Sequence, residues 1–520
     1  MDWKKYVWAF LIGLAVFSLY LIKVEVPGYM DGEYYYGMGL RIASGEGWSE
    51  PYIWNFLTDA EVVPHPGFTY WMPGPAFITA LGIWITGLKS FSGGRAIHLL
   101  IAAILPALTI KVSYDLTRDK STSLLAGLFA AFPAFYNIYL GTTDSFAITM
   151  LLGGIFYLIS RSQENRVGYF SLGAIAGLMH LSRADGLIWI VAGAYCALKA
   201  RKTKGIMLLL VFSGYLIVMA PWFGRNLAAI GQIMPSGVSR SFWLKEYNDL
   251  FSYPPNRLTF DSWFSQGIPT ILEHALKALS ANLKTALLVQ GQIILGPFVV
   301  IGAWEKRSDT GVQAAFLVWL CILILMSVVF PFAGLRGGFL HSGAALQLLF
   351  WALAASGFFS AIEWGVEKRN WIKSKAGTVF GGALVVMVVL ASVFVYYDRV
   401  IGENFDRPRW SNSYHETSQI ATYLDDLGVG RSDLVLINNP PGLYAASGRQ
   451  SVVIPNGGTD DLMLVGNKFG IEYLVLEKNH PDLLDDLYDH PDSVSNFEFV
   501  GDIGHAKIFR LEYQDMNEKP

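Results

Sequence analysis

The sequence predicts a polytopic α-helical membrane protein that ends in a small α/β domain, and three observations carry that prediction. Hydrophobic residues make up 53% of the 520-residue chain and charged residues only 16%, where a soluble domain carries about a quarter charged. The apolar residues fall in long runs, many near the roughly 20 residues needed to cross a bilayer. Charge is also split along the chain, with 20 acidic and 9 basic residues from 401 onward against 22 acidic and 30 basic before. A basic membrane part over 1–400 followed by an acidic domain over 401–520 accounts for that split. No basic stripe with interleaved aromatics appears outside the membrane-flanking clusters, so nucleic acid is not an expected partner. The two cysteines, Cys196 and Cys321, both sit in apolar runs and set no disulfide framework.

Residues 6–22 are apolar and follow Lys4 and Lys5, with no small-residue cleavage site behind them. They read as a retained first helix with a cytoplasmic start. An outer loop over 25–94 follows, in which 76–88 is apolar but short enough to be a re-entrant or surface-lying helix. Residues 95–115 form the second crossing and reach Arg118 and Lys120. Further crossings are expected at 121–140, 146–159, 168–181, 187–198 and 206–220. After a polar and aromatic loop to about residue 284 come a span closing at Glu305-Lys306-Arg307 and others at 312–330, 344–362 and 378–396. About eleven crossings result, with the basic clusters (Arg161 and Arg166; Lys199, Arg201, Lys202 and Lys204; Lys368, Arg369, Lys373 and Lys375) on the cytoplasmic side. Parity then puts the tail outside. Its own pattern gives helices at 414–427 and 460–469, strands at 434–437, 451–454 and 473–476, and a closing hairpin around Asp502-Ile503-Gly504.

The outer stretch 26–75 is too polar to span a bilayer and too aromatic for a solvated linker. Asp31 and Glu33 open it beside Tyr34-Tyr35-Tyr36, and His65 lies between two prolines. A carboxylate near a bilayer is costly unless paired, solvated or used, so this pair is a functional candidate against the plainer alternative of solvated loop acids. Asp144, after Thr142-Thr143, either caps the next helix or faces the same cavity. His65, as a lone histidine, has a structural alternative, and Arg183 with Asp185 fits an internal ion pair at a helix end. Arg225-Asn226, and Arg336 with His341, lie near outer helix ends, where an arginine fork matches phosphate oxygens or snorkels to lipid headgroups.

Taken in order, these residues resemble the GT-C glycosyltransferases, in the branch of the protein O-mannosyltransferases and lipid A aminoarabinose transferases. The resemblance is carried by Asp31-Gly32-Glu33, Tyr35, Ser44-Gly45-Glu46-Gly47-Trp48 and Pro73-Gly74-Pro75 in the first outer loop. It continues through Arg95, Asp144, Leu181-Ser182-Arg183-Ala184-Asp185-Gly186, Pro221-Trp222-Phe223-Gly224-Arg225-Asn226, Arg336 with His341, and Gly448-Arg449 in the tail. Two departures stand out. The acidic motif is Asp-Gly-Glu in place of the adjacent Asp-Glu of the mannosyltransferases. Trp71 and Met72 stand where the aminoarabinose transferases carry a basic residue, which shifts the donor-phosphate role toward Arg225 and Arg336.

The resemblance implies a GT-C fold and an inverting transfer of a sugar from a polyprenyl-phosphate donor to an acceptor hydroxyl at the extracytoplasmic face. Asp31 would be the base, with Glu33 beside it in the catalytic motif. Arg225, Asn226, Arg336 and Arg183 would meet the donor phosphate, and Tyr35, His65, Asp144 and His341 the substrate. No cofactor is specified. A divalent metal, if one is used, would be held among Asp31, Glu33, Asp144 and His65. Partners are the lipid-linked donor, membrane lipids, and an acceptor that is protein, lipid or glycan. A lipid-linked-sugar flippase or transporter, an oligosaccharyltransferase-like enzyme (whose soluble domain should carry a sequon-reading motif that the tail does not show) and a non-catalytic membrane scaffold are the alternatives. The first would show ionisable residues deep in spans or an internal repeat.

Overall fold

The computed structural model describes residues 2–161, 165–200 and 203–513. Arg201 and Lys202 of the third basic cluster, and the last seven residues of the tail, lie outside them. The chain folds into two compact units, neither of them continuous in sequence. One comprises Met1–Glu25, Trp71–Arg225 and Leu272–Trp410, and the other Val26–Tyr70, Asn226–Ile271 and Ser411–Pro520. The boundary expected near residue 400 thus falls at 410, and the first part of the outer loop goes with the tail.

The first unit is helical. Among the described residues, five helices are both long and apolar enough to cross a bilayer: Phe91–Thr117, Lys204–Ile230, Thr310–Val329, Gly338–Arg369 and Lys373–Ile401. Gly74–Thr86, Phe146–Arg161 and Ala184–Leu198 are apolar but shorter. Helix Lys373–Tyr396 leaves Val379, Leu390 and Phe394 more than half exposed, an apolar surface that suits lipid rather than water. The core gathers Phe17, Leu105, Phe129, Tyr136, Phe146, Trp351 and Phe358. Helices Gly296–Glu305 and Gln347–Arg369 meet through glycines. A Cβ on Gly302 would lie 2.1 Å from the Leu353 carbonyl oxygen, and one on Gly357 2.0 Å from that of Phe298. Small residues on facing helices allow this backbone approach, which is how apolar helices associate where lipid removes the hydrophobic drive.

The last part of the polar loop expected up to residue 284 is the helix Ile268–Thr285. Its charges, Glu273, Lys277 and Lys284, break the apolar run without breaking the helical stripe.

The second unit is built on a six-stranded sheet in the order Tyr52–Ile53, Ser451–Val453, Val435–Ile437, Tyr473–Leu476, Ala506–Leu511, Phe497–Ile503. The first four strands pair in parallel and the last two join antiparallel. Parallel strands are covered on both faces, which is why Val435–Ile437 and Tyr473–Leu476 are almost wholly apolar. One face packs Leu436, Val452, Leu474, Leu462 and Val465, and another cluster joins Ile420, Leu424, Val435, Leu443 and Val475. The outer-loop stretch supplies an edge strand, Tyr52–Ile53, and the helix Met30–Ser44, which packs on helix Pro440–Ser447. Gly37 is in that contact, since a Cβ there would sit 3.0 Å from the Tyr444 ring.

Candidate active site

In the second unit, Asp31 and Glu33 occupy the first turn of helix Met30–Ser44, behind the extended Tyr29. Backbone N–H groups are unsatisfied there and the helix dipole favours negative charge. A helix, unlike the loop expected from sequence, sends side chains two apart in different directions. Asp31 is half-buried, while Glu33 is 1% exposed. The Asn439 side-chain amide donates to Glu33 Oε2 at 2.8 Å. The same Asn439 uses Oδ1 to accept from the Gly442 N–H, capping helix Pro440–Ser447. Burial pushes the Glu33 carboxyl up to about 7, with the Asn439 hydrogen bond acting against it. Glu33 is therefore held between two helices, Met30–Ser44 and Pro440–Ser447.

His65 and Tyr35 are likewise engaged inside this unit. His65 Nε2 lies 3.0 Å from the Tyr52 carbonyl and 3.3 Å from Glu50 Oε2, and Nδ1 lies 3.1 Å from the Pro66 carbonyl. Both ring nitrogens thus face protein oxygens, bracing the pairing of Ser49–Glu50 with His65–Pro66. Glu50, which sequence reasoning passed over, is 2% exposed. It accepts from the Tyr34 hydroxyl and from the Phe68 N–H, the latter at 2.9 Å. Tyr35 is 1% exposed, edge-on to Tyr34 at 5.5 Å. Asn226, expected at the donor phosphate, donates its side-chain amide to the Ile233 carbonyl at 3.0 Å and closes the turn after helix Lys204–Ile230. Arg449 of the tail is fully buried and holds the end of helix Asn412–Asp426. Its guanidinium donates to the carbonyls of Gly430 (2.8 Å) and Val429 (2.7 Å) and to the Asp425 carboxylate.

The first unit brings together Asp144, Arg183 and His341. Asp144 sits in the turn before helix Phe146–Arg161 and is 1% exposed. Its Oδ1 accepts from the Ser145 N–H and from the Ser145 hydroxyl at 3.0 Å, and its Oδ2 lies 3.8 Å from His341 Nδ1. The His341 ring stacks on Phe146 at 4.1 Å. The next residue, Ser342, reaches the Asp185 carboxylate. That carboxylate takes a two-pronged contact from Arg183, Nε to Oδ1 at 3.2 Å and Nη2 to Oδ2 at 3.0 Å. A polar chain thus runs from Asp144 through His341-Ser342 to Asp185 and Arg183. The ion pair expected of Arg183 and Asp185 is present. Asp144 and His341 offer an oxygen and a nitrogen close enough together for a divalent ion to share. Glu33 and His65, the other residues proposed for a metal beside Asp31, are committed to protein contacts. Arg225 lies over the Trp222 ring at 5.1 Å. Arg336 is exposed at the end of the short helix Pro331–Leu335.

The architecture has solved counterparts. The chain has the GT-C fold and is an integral membrane protein. Its structure is similar to that of ArnT from Cupriavidus metallidurans over 98% of both chains, with a TM-score of 0.58 at 11% identity. It is similar to the Archaeoglobus fulgidus oligosaccharyltransferase over 94% of this chain and 71% of that one, with a TM-score of 0.54 at 15% identity. Arabinofuranosyltransferase AftD from Mycobacteria matches over 99% of this chain but only 42% of its own, with a TM-score of 0.53 at 12% identity. In sequence, the family described as dolichyl-phosphate-mannose-protein mannosyltransferase matches residues 65–224. No curated protein matches the chain.

Proposed function

We propose that the protein is an inverting glycosyltransferase that moves a sugar from a polyprenyl-phosphate donor to an acceptor hydroxyl at the extracytoplasmic face of the membrane. The observation that carries this reading is the end-to-end likeness to ArnT, one structure of which holds undecaprenyl phosphate. The archaeal oligosaccharyltransferase, with the same fold, is known with a dolichol-phosphate and an inhibitory peptide. In this scheme Asp31 takes the proton of the acceptor hydroxyl as the anomeric carbon is attacked from the face opposite the lipid phosphate. Its half-exposed position, next to a fully buried Glu33, fits a carboxylate that must meet a substrate. Arg225 and Arg336 offset the charge that builds on the leaving phosphate. Asp144 and His341 orient the substrate, or hold a divalent ion that would polarise it. About eleven crossings with a cytoplasmic N-terminus and an outward tail complete the scheme.

Purified protein in proteoliposomes, given a labelled polyprenyl-phosphate sugar and a membrane extract as acceptor source, should release the prenyl phosphate and label a product. Movement of the labelled lipid across the bilayer with no new glycoconjugate would point to a flippase. No change in the lipid at all would leave a scaffold. A chelator that abolishes turnover, with recovery on adding back one divalent ion, would bring a metal into the Asp144–His341 pair.

A further inference from the structure

The segment between helices Lys204–Ile230 and Ile268–Thr285 has a surface that the transfer reaction does not use. Five aromatic rings gather there. Trp243 meets Phe260 at 5.4 Å and Trp263 at 6.0 Å, Phe260 stacks on Phe264 at 5.5 Å, and Phe242 flanks Trp243 at 6.2 Å. Such a cluster would ordinarily be core. Here Phe242 is 40% exposed, Phe260 50% and Phe264 48%, and Ile233 and Ile268 beside them in sequence are more than half exposed. From Leu258 to Ile271 Asp261 is the sole charged residue. An apolar surface of this kind marks an interaction site.

We propose that this aromatic face is seated in the interfacial zone of the bilayer, with the boundary between headgroups and acyl chains as its partner. The segment starts where Lys204–Ile230, one of the five apolar helices of spanning length, ends. Its root is therefore at the edge of the membrane, and Phe242 follows within a dozen residues. Tryptophan and phenylalanine are the side chains that settle at that depth. The segment is fastened to the rest of its unit. Arg240 donates to the Leu57 carbonyl at 2.6 Å and the Phe56 N–H to that of Leu250 at 3.1 Å. Anchoring these rings therefore anchors the unit that carries Asp31.

The test uses the full chain in phosphatidylcholine nanodiscs, with Cys196→Ala and Cys321→Ala, spin-labelled at Phe260→Cys or Phe264→Cys. The label's collision rates with oxygen and with a water-soluble nickel chelate are compared with those at Leu483→Cys, a tail leucine that is 75% exposed. Oxygen should dominate at 260 and 264 and nickel at 483. Nickel access at 260 and 264 equal to that at 483 would overturn the proposal. The labelled positions are on the surface, the cysteine-free background is common to all three proteins, and the result does not depend on any transferase activity.

Discussion

Because side chains two apart on a helix diverge by about 200°, Asp31 and Glu33 leave the same turn into different surroundings, one half-exposed and one fully buried. Burial has a pH signature at Glu33. Its carboxyl and that of Glu477, which feels the charges of Glu416 and Glu33, are both pushed up to about 7, in each case chiefly by desolvation. Between the ordinary carboxylate range near 4.3 and about 7, the folded protein therefore holds more protons than the unfolded chain. The stability these groups lend is present at the acidic end of that window and lost as pH rises through it. Thermal melts of the full-length protein should show this second unit weakening from pH 5 to 7.5, and Glu33→Gln should flatten the trend. Arg449→Met should cost about 1–3 kcal/mol by stranding the buried Val429 carbonyl and the partly buried Gly430 carbonyl, measured as a lower denaturant midpoint. The acidic motif was readable in the sequence because a carboxylate pair beside a membrane stands out. The different surroundings of its two carboxylates were not, because those of Glu33 include Asn439, about 400 residues away.

Among the elements, the five helices of spanning length declare themselves by length and hydropathy, and the tail's strands by short apolar runs between turns. Elements with mixed signals are the ones the sequence hides. Helix Ile268–Thr285 carries charges at the spacing of its polar face, and Pro440–Ser447 begins Pro-Pro-Gly, which reads as a turn until Asn439 is seen capping it. One tight junction in the membrane unit is the Gly302–Gly357 crossing. Gly357→Val would place methyl groups inside the distance at which a Cβ alone already overlaps the Phe298 carbonyl. The helices must separate, at a cost of about 1–3 kcal/mol, and the melting temperature in detergent should fall. Gly382→Val, with no atom within 4 Å of the added carbon, should leave it unchanged.

For the molecule as a whole, the discontinuity of the second unit has a direct consequence. The tail's sheet ends on Ser451–Val453 unless Tyr52–Ile53 covers it, and helix Pro440–Ser447 keeps Asn412–Asp426 but loses Met30–Ser44. A fragment of residues 411–513 alone should therefore associate through its open edge strand, seen as oligomers in sedimentation, while the full chain does not. Composition could separate a basic membrane part from an acidic tail. It could not show that a two-residue strand from the first outer loop belongs to the tail. The most direct test of the account compares sugar transfer from a labelled polyprenyl-phosphate donor by wild-type protein, Asp31→Asn and Glu33→Gln in proteoliposomes. A loss of about 100- to 10,000-fold for Asp31→Asn, with Glu33→Gln close to wild type, is the predicted result. Near-normal transfer by a well-folded Asp31→Asn protein would contradict it.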